Sequence, residues 1–85
     1  MAKRSIVLIT FGTNVRQRRE AKKLTQEALA EKAGLDPTYV SGIERGIRNP
    51  TILSAINLAS ALNCTLSALC KGIEETGKRL GGKSK

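Results

Sequence analysis

Residues 24–50, LTQEALAEKAGLDPTYVSGIERGIRNP, force two short helices to meet across one glycine. Thr25 stands where an N-cap belongs, and Glu27 follows in the first turn, near the positive end of the helix dipole. Leu29, Ala30 and Ala33 then share one face, and Gly34 follows where a left-handed residue closes a helix. Asp36-Pro37 restarts the chain as an N-cap and a proline at the first helical position. Val40 and Ile43, three apart, face back toward the first helix, and Gly46 ends the second. A small residue is needed where the helices cross, and Ala30 supplies it.

These are the steric demands of a helix-turn-helix. They leave the outer face of the second helix to Thr38, Ser41, Gly42 and Arg45, which are short up to the final arginine. Such a face can lie deep in a DNA major groove, because nothing bulky holds it off. The formal net charge of +8 points the same way, to nucleic acid or to an anionic surface.

Other chemistries find little support. The chain has no histidine, which removes the commonest general base and metal ligand. Cys64 and Cys70 match no CxxC pattern and are expected to be reduced, acting as small hydrophobes rather than a metal site. No nucleophile constellation is present, and 85 residues form one small domain. An enzyme, a cofactor, a metal and a small-molecule ligand are therefore not expected. Residues 51–70 carry no charge and match a membrane span in length, but Ser, Thr and Asn interrupt them throughout, so no span is expected. The four apolar residues after Lys3 and Arg4 are too few for the apolar region of a signal peptide, so none is expected, and a cytoplasmic protein is expected.

Around this motif the pattern predicts an all-α fold of five helices. A helix from about 10 to 23 aligns Phe11, Val15 and Arg19 at four-residue spacing. Thr51 and Thr65 cap two more, at about 52–62 and 66–75. The first of these buries Ile52, Ile56, Ala59 and Leu62, and the second Leu66, Leu69 and Ile73. SIVLIT, residues 5–10, is β-branched and reads as an arm or short strand, so residues 1–10 stand apart from a domain at 11–75. Residues 76–85 read as a basic, disordered tail.

From VRQRREAKKLTQEALAEKAGLDPTYVSGIERGIRNPTI, and from LASALNCTLSAL beyond it, the chain resembles the family of phage Cro and phage repressor proteins, the XRE family. LDPTYVSGIERGIRN looks most like the controller proteins of restriction–modification systems, a subgroup that regulates its own operon as a dimer. The resemblance implies a compact lambda-repressor-like domain and a sequence-specific transcriptional regulator of double-stranded DNA. It implies that Gln26 touches a phosphate and braces the second helix, and that Pro37, Thr38, Ser41 and Gly42 face base edges. Tyr39 would flank them at a phosphate, Arg45 would read or clamp DNA, and Arg48 and Asn49 would lie on the backbone. Arg19 and Glu44 would form a buried pair. The chain departs from the family at Arg18, where relatives carry Leu, and at Pro37 and Gly42, where many carry a long polar side chain. A homodimer would use Leu53, Leu66 and Leu69. Two other readings stand beside this one: an antitoxin-type protein-interaction module of the same fold, and a general RNA binder, for which stacking aromatics beyond Tyr39 are missing.

Overall fold

The computed structural model describes residues 5–74. Its helices are α1 (Ile6–Ala21), α2 (Gln26–Ala33), α3 (Pro37–Glu44), α4 (Ile52–Ala61) and α5 (Leu66–Leu69), with no strand among the described residues. Each expected cap is in place. The hydroxyls of Thr25, Thr51 and Thr65 accept from the amides of Ala28, Ser54 and Ala68. Asp36 accepts from Thr38 N–H at 2.7 Å, and Gly34 closes α2 at φ 70° and ψ 33°, a left-handed conformation that glycine adopts without steric cost. These caps satisfy amides that a helix's first turn cannot pair internally.

The run at 5–10 is neither arm nor strand. Ser5 caps α1 by accepting from Leu8 N–H at 3.2 Å, and the β-branched residues form its first turns. No other run in the described chain offers strand pairing, so only a helix satisfies this backbone internally. Ile6–Thr10 are also half-covered where they stand: Ile9 lies against Gly46 at the end of α3, and of the five only Ile6 is well exposed.

The core is aliphatic, with Val15, Leu29, Val40, Ile43, Leu58, Leu62 and Leu69 fully enclosed and Phe11 beside them. α4 is rotated from the orientation expected. Ala59 and Leu62 are buried as their spacing required, together with Ser54, Ala55 and Leu58, while Ile52 and Ile56 are exposed. α4 packs on α2, whose inner face carries Ala30 and Ala33. Small side chains on both helices let their axes approach closely, and Ser54 satisfies its buried hydroxyl by accepting from Thr51 at 3.0 Å. α5 is one turn long; turn residues 70–72, with Gly72 at φ 84°, interrupt the expected helix, and helical backbone resumes at 73–74. α5 is tied to α1 by Asn14, whose side-chain amide donates to the carbonyls of Leu69 at 2.8 Å and Lys71 at 2.9 Å. Cys64 packs half-buried against the core, but Cys70 is exposed and serves no core. The expected tail at 76–85 lies outside the described residues.

Candidate nucleic-acid interface

α3 is held against the body from three sides. Val40 and Ile43 are buried beneath it, α2 crosses it, and Gly12 of α1 passes so close that a Cβ there would collide with the carbonyls of Ile43 and Glu44. At its last residue, Glu44 accepts from Arg19 Nε at 2.6 Å, Arg19 Nη2 at 3.0 Å and Gln26 Nε2 at 2.9 Å. The Glu44 side chain is 2% exposed and that of Arg19 12%, so this bidentate ion pair is withdrawn from water. Arg19 also donates through Nη1 to the Leu24 carbonyl at 2.8 Å. The carboxylate of Glu44, above all by its hydrogen bond, raises the Arg19 pKa beyond its ordinary alkaline range, against the opposing effect of burial. The expected Arg19–Glu44 pair is present, and Gln26 braces α3 through the same carboxylate. Leu29, Ala30 and Ala33 form the inner face of α2 as their spacing required.

The outer surface of α3 follows the expected pattern except at one position. Pro37, Thr38 and Arg45 are exposed, and Ser41 and Tyr39 are half-exposed. Arg45 folds back along the helix, its Nε 3.3 Å from the Ser41 carbonyl. Gly42, expected to face bases, is buried. The stem of Arg48 covers it, and the three atoms nearest to a Cβ built on Gly42 all belong to Arg48. The Arg48 guanidinium lies over the Tyr39 ring, 5.1 Å from its centroid, and the Tyr39 hydroxyl accepts from Thr51 N–H at 3.4 Å. Arg48 and Asn49 are both exposed on the loop after α3. Sequence reasoning missed Gly12 and the packing of Arg48 on Gly42. A glycine inside a helix was the available signal in both cases, since it signals a close approach more often than a preference for helix.

The expected dimer residues separate. Leu69 is fully buried in the core and reaches no surface, because α5 is too short to serve both the core and an interface. Leu66 is half-buried against the same core. Leu53, by contrast, is 68% exposed, and it stands on α4 between Ile52 at 71% and Ile56 at 46%. No described helix is long and apolar enough to cross a membrane.

The model of the helix-turn-helix family matches residues 15–69, which contain α2, the turn, α3, α4, α5 and the C-terminal part of α1. The chain belongs to this helix-turn-helix family. Among its relatives, the control protein C.SmaI of Serratia marcescens is 46% identical over 59 residues, which is 69% of this chain and 70% of that protein. In three dimensions the chain is similar to the restriction–modification controller protein C.AhdI of Aeromonas hydrophila. That match has a TM-score of 0.72 at 45% identity, covering 73% of this chain and 94% of the other. It is also similar to C.Esp1396I bound to a 19 base pair DNA duplex, with a TM-score of 0.74 at 35% identity, covering 85% of this chain and 96% of the other.

Proposed function

We propose that this chain is a sequence-specific transcriptional regulator that inserts α3 into the major groove of duplex DNA and acts as a symmetric dimer on a palindromic operator. The observation that carries this reading is the exposed, short-chained face of α3, fixed from below by the buried Arg19–Glu44–Gln26 node. Thr38 and Ser41 meet base edges, and Arg45 stands at the end of that face. Arg48 and Asn49 lie toward the phosphate backbone beside it. Gln26 gives one side-chain N–H to Glu44, which leaves its second side-chain N–H and its backbone N–H at the start of α2, where amides meet phosphates favourably.

No Gln or Asn stands on the outer face of α3 to make the bidentate adenine contact worth roughly 1–3 kcal/mol. Discrimination therefore rests on hydroxyls, thymine methyl contacts, Arg45 and the deformability of the site. One module of this size reads few bases, and a dyad that sets two α3 helices one turn of DNA apart, about 34 Å, doubles them. Ile52, Leu53 and Ile56 supply an apolar, uncharged surface for the second copy. The kinship with controller proteins extends the reading to control of the chain's own operon.

Footprinting on the DNA upstream of its own gene tests this. The expected result is protection of two symmetric half-sites. Protection of no discrete site, with equal affinity for any duplex, would refute sequence-specific regulation. Copurification with a toxin, in place of DNA binding, would establish the protein-interaction module instead.

A further inference from the structure

Gly42 lies inside α3, where glycine is less favourable than alanine because it orders a more flexible backbone. What the missing side chain admits is Arg48, whose stem occupies the space of a Gly42 Cβ. The Arg48 amide donates to the Gly42 carbonyl at 3.2 Å, and the Ile47 amide donates to the same oxygen at 3.0 Å. The guanidinium then stacks on Tyr39, at a separation typical of cation–π pairing. Tyr39 is fixed in turn by packing on the core and by the Thr51 amide at the N-cap of α4. An exposed arginine is thus held at its backbone, its stem and its head.

We propose that Gly42 and Tyr39 are positioning residues for Arg48, holding its guanidinium ready for a DNA phosphate at the end of the recognition helix. The proposal rests on the DNA-binding reading above. Stacking uses the face of the guanidinium and leaves its in-plane N–H donors free for a phosphate. A side chain ordered before binding has less freedom to lose at the interface. Tyr39 then acts through Arg48 rather than through its own hydroxyl on DNA.

The test uses the full chain and a fluorescent, mixed-sequence DNA duplex titrated over a range of salt. Arg48→Ala should weaken binding about tenfold and lower the salt slope by about one phosphate contact. Gly42→Ala should weaken binding about twofold to tenfold, with circular dichroism showing the variant folded at the temperature of the titration. Tyr39→Leu should weaken binding to a similar extent, and Tyr39→Phe, which keeps the ring and its packing but loses the Thr51 contact, should weaken it less. In the Arg48→Ala background, Gly42→Ala and Tyr39→Leu should cost nothing further. Losses that simply add would overturn the proposal. So would Tyr39→Phe weakening binding as much as Tyr39→Leu. The seat itself is checked without DNA, by NMR. The Arg48 δ-methylene protons should be shifted upfield by the Tyr39 ring, and both Gly42→Ala and Tyr39→Leu should abolish that shift. An absent shift in the unaltered protein overturns the seat. If the shift is present and the duplex shows no salt-dependent binding, the DNA reading is what fails.

Discussion

Arg19→Ala should be among the most destabilising single changes in this chain. It removes three hydrogen bonds, two to Glu44 and one to the Leu24 carbonyl. Glu44 keeps only the Gln26 amide, at 2.9 Å, for a carboxylate whose side chain is 2% exposed. An exposed ion pair is worth about 0–1 kcal/mol, but stranding one charge of a buried pair costs about 3–5 kcal/mol. The burial selects the second figure. Against a total stability of about 5–15 kcal/mol, the loss is a large fraction. At roughly 4–8 °C per kcal/mol for a domain of this size, the melting temperature should fall by about 12–40 °C. Thermal unfolding followed by far-ultraviolet circular dichroism measures it. The double variant Arg19→Met with Glu44→Leu should recover most of the loss, because two apolar residues strand no charge. The Arg19 pKa is raised on folding, so its share of stability is present at all lower pH and is lost only in strongly alkaline solution. The penalty should therefore not change around neutrality through Arg19. A fall of only a few degrees, matching Arg16→Ala in the exposed Arg16–Glu20 pair, would refute the reasoning.

Thr38→Ala combined with Ser41→Ala should weaken binding to the footprinted operator far more than to unrelated duplex, as competition titration would show; equal losses would remove both residues from base reading. Leu53→Glu should give monomers in sedimentation at micromolar concentration with little loss of stability, since the residue is exposed, and it introduces its charge twice across a dyad. A monomeric unaltered protein would sink the dimer and leave the helix-turn-helix intact. Asn14→Ala should cost about 1–3 kcal/mol by leaving the Leu69 and Lys71 carbonyls without their donor, read as a lowered melting temperature.

Local chemistry was legible in the sequence. Thr25, Asp36, Thr51 and Thr65 cap helices because a side-chain oxygen two or three residues before an unpaired amide needs nothing distant to act. Gly34 was legible for the same reason, since a left-handed residue is required at that point by the helix it closes. Spacing also placed Val40 and Ile43 inward, and the family resemblance paired Arg19 with Glu44 across 25 positions.

What the sequence left open is what depends on a neighbour. SIVLIT has the residues of a strand, and became helix because no second strand exists in the described chain to pair with it and Ser5 was there to cap it. Ile52 and Ile56 share a stripe with Ala59 and Leu62 by spacing, yet only the latter two are buried, beside Ala55 and Leu58. The choice fell to the alanines of α2, which admit a close helix and leave the isoleucines outside. Leu69 looked free for an interface until α5 proved to be a single turn whose leucine completes the core. Gly42 could be assigned to the groove or to the body on pattern alone, and the path of the loop that lays Arg48 across it decided the matter. Periodicity fixes which residues share a face, but only the surfaces that helices offer one another determine which face turns inward.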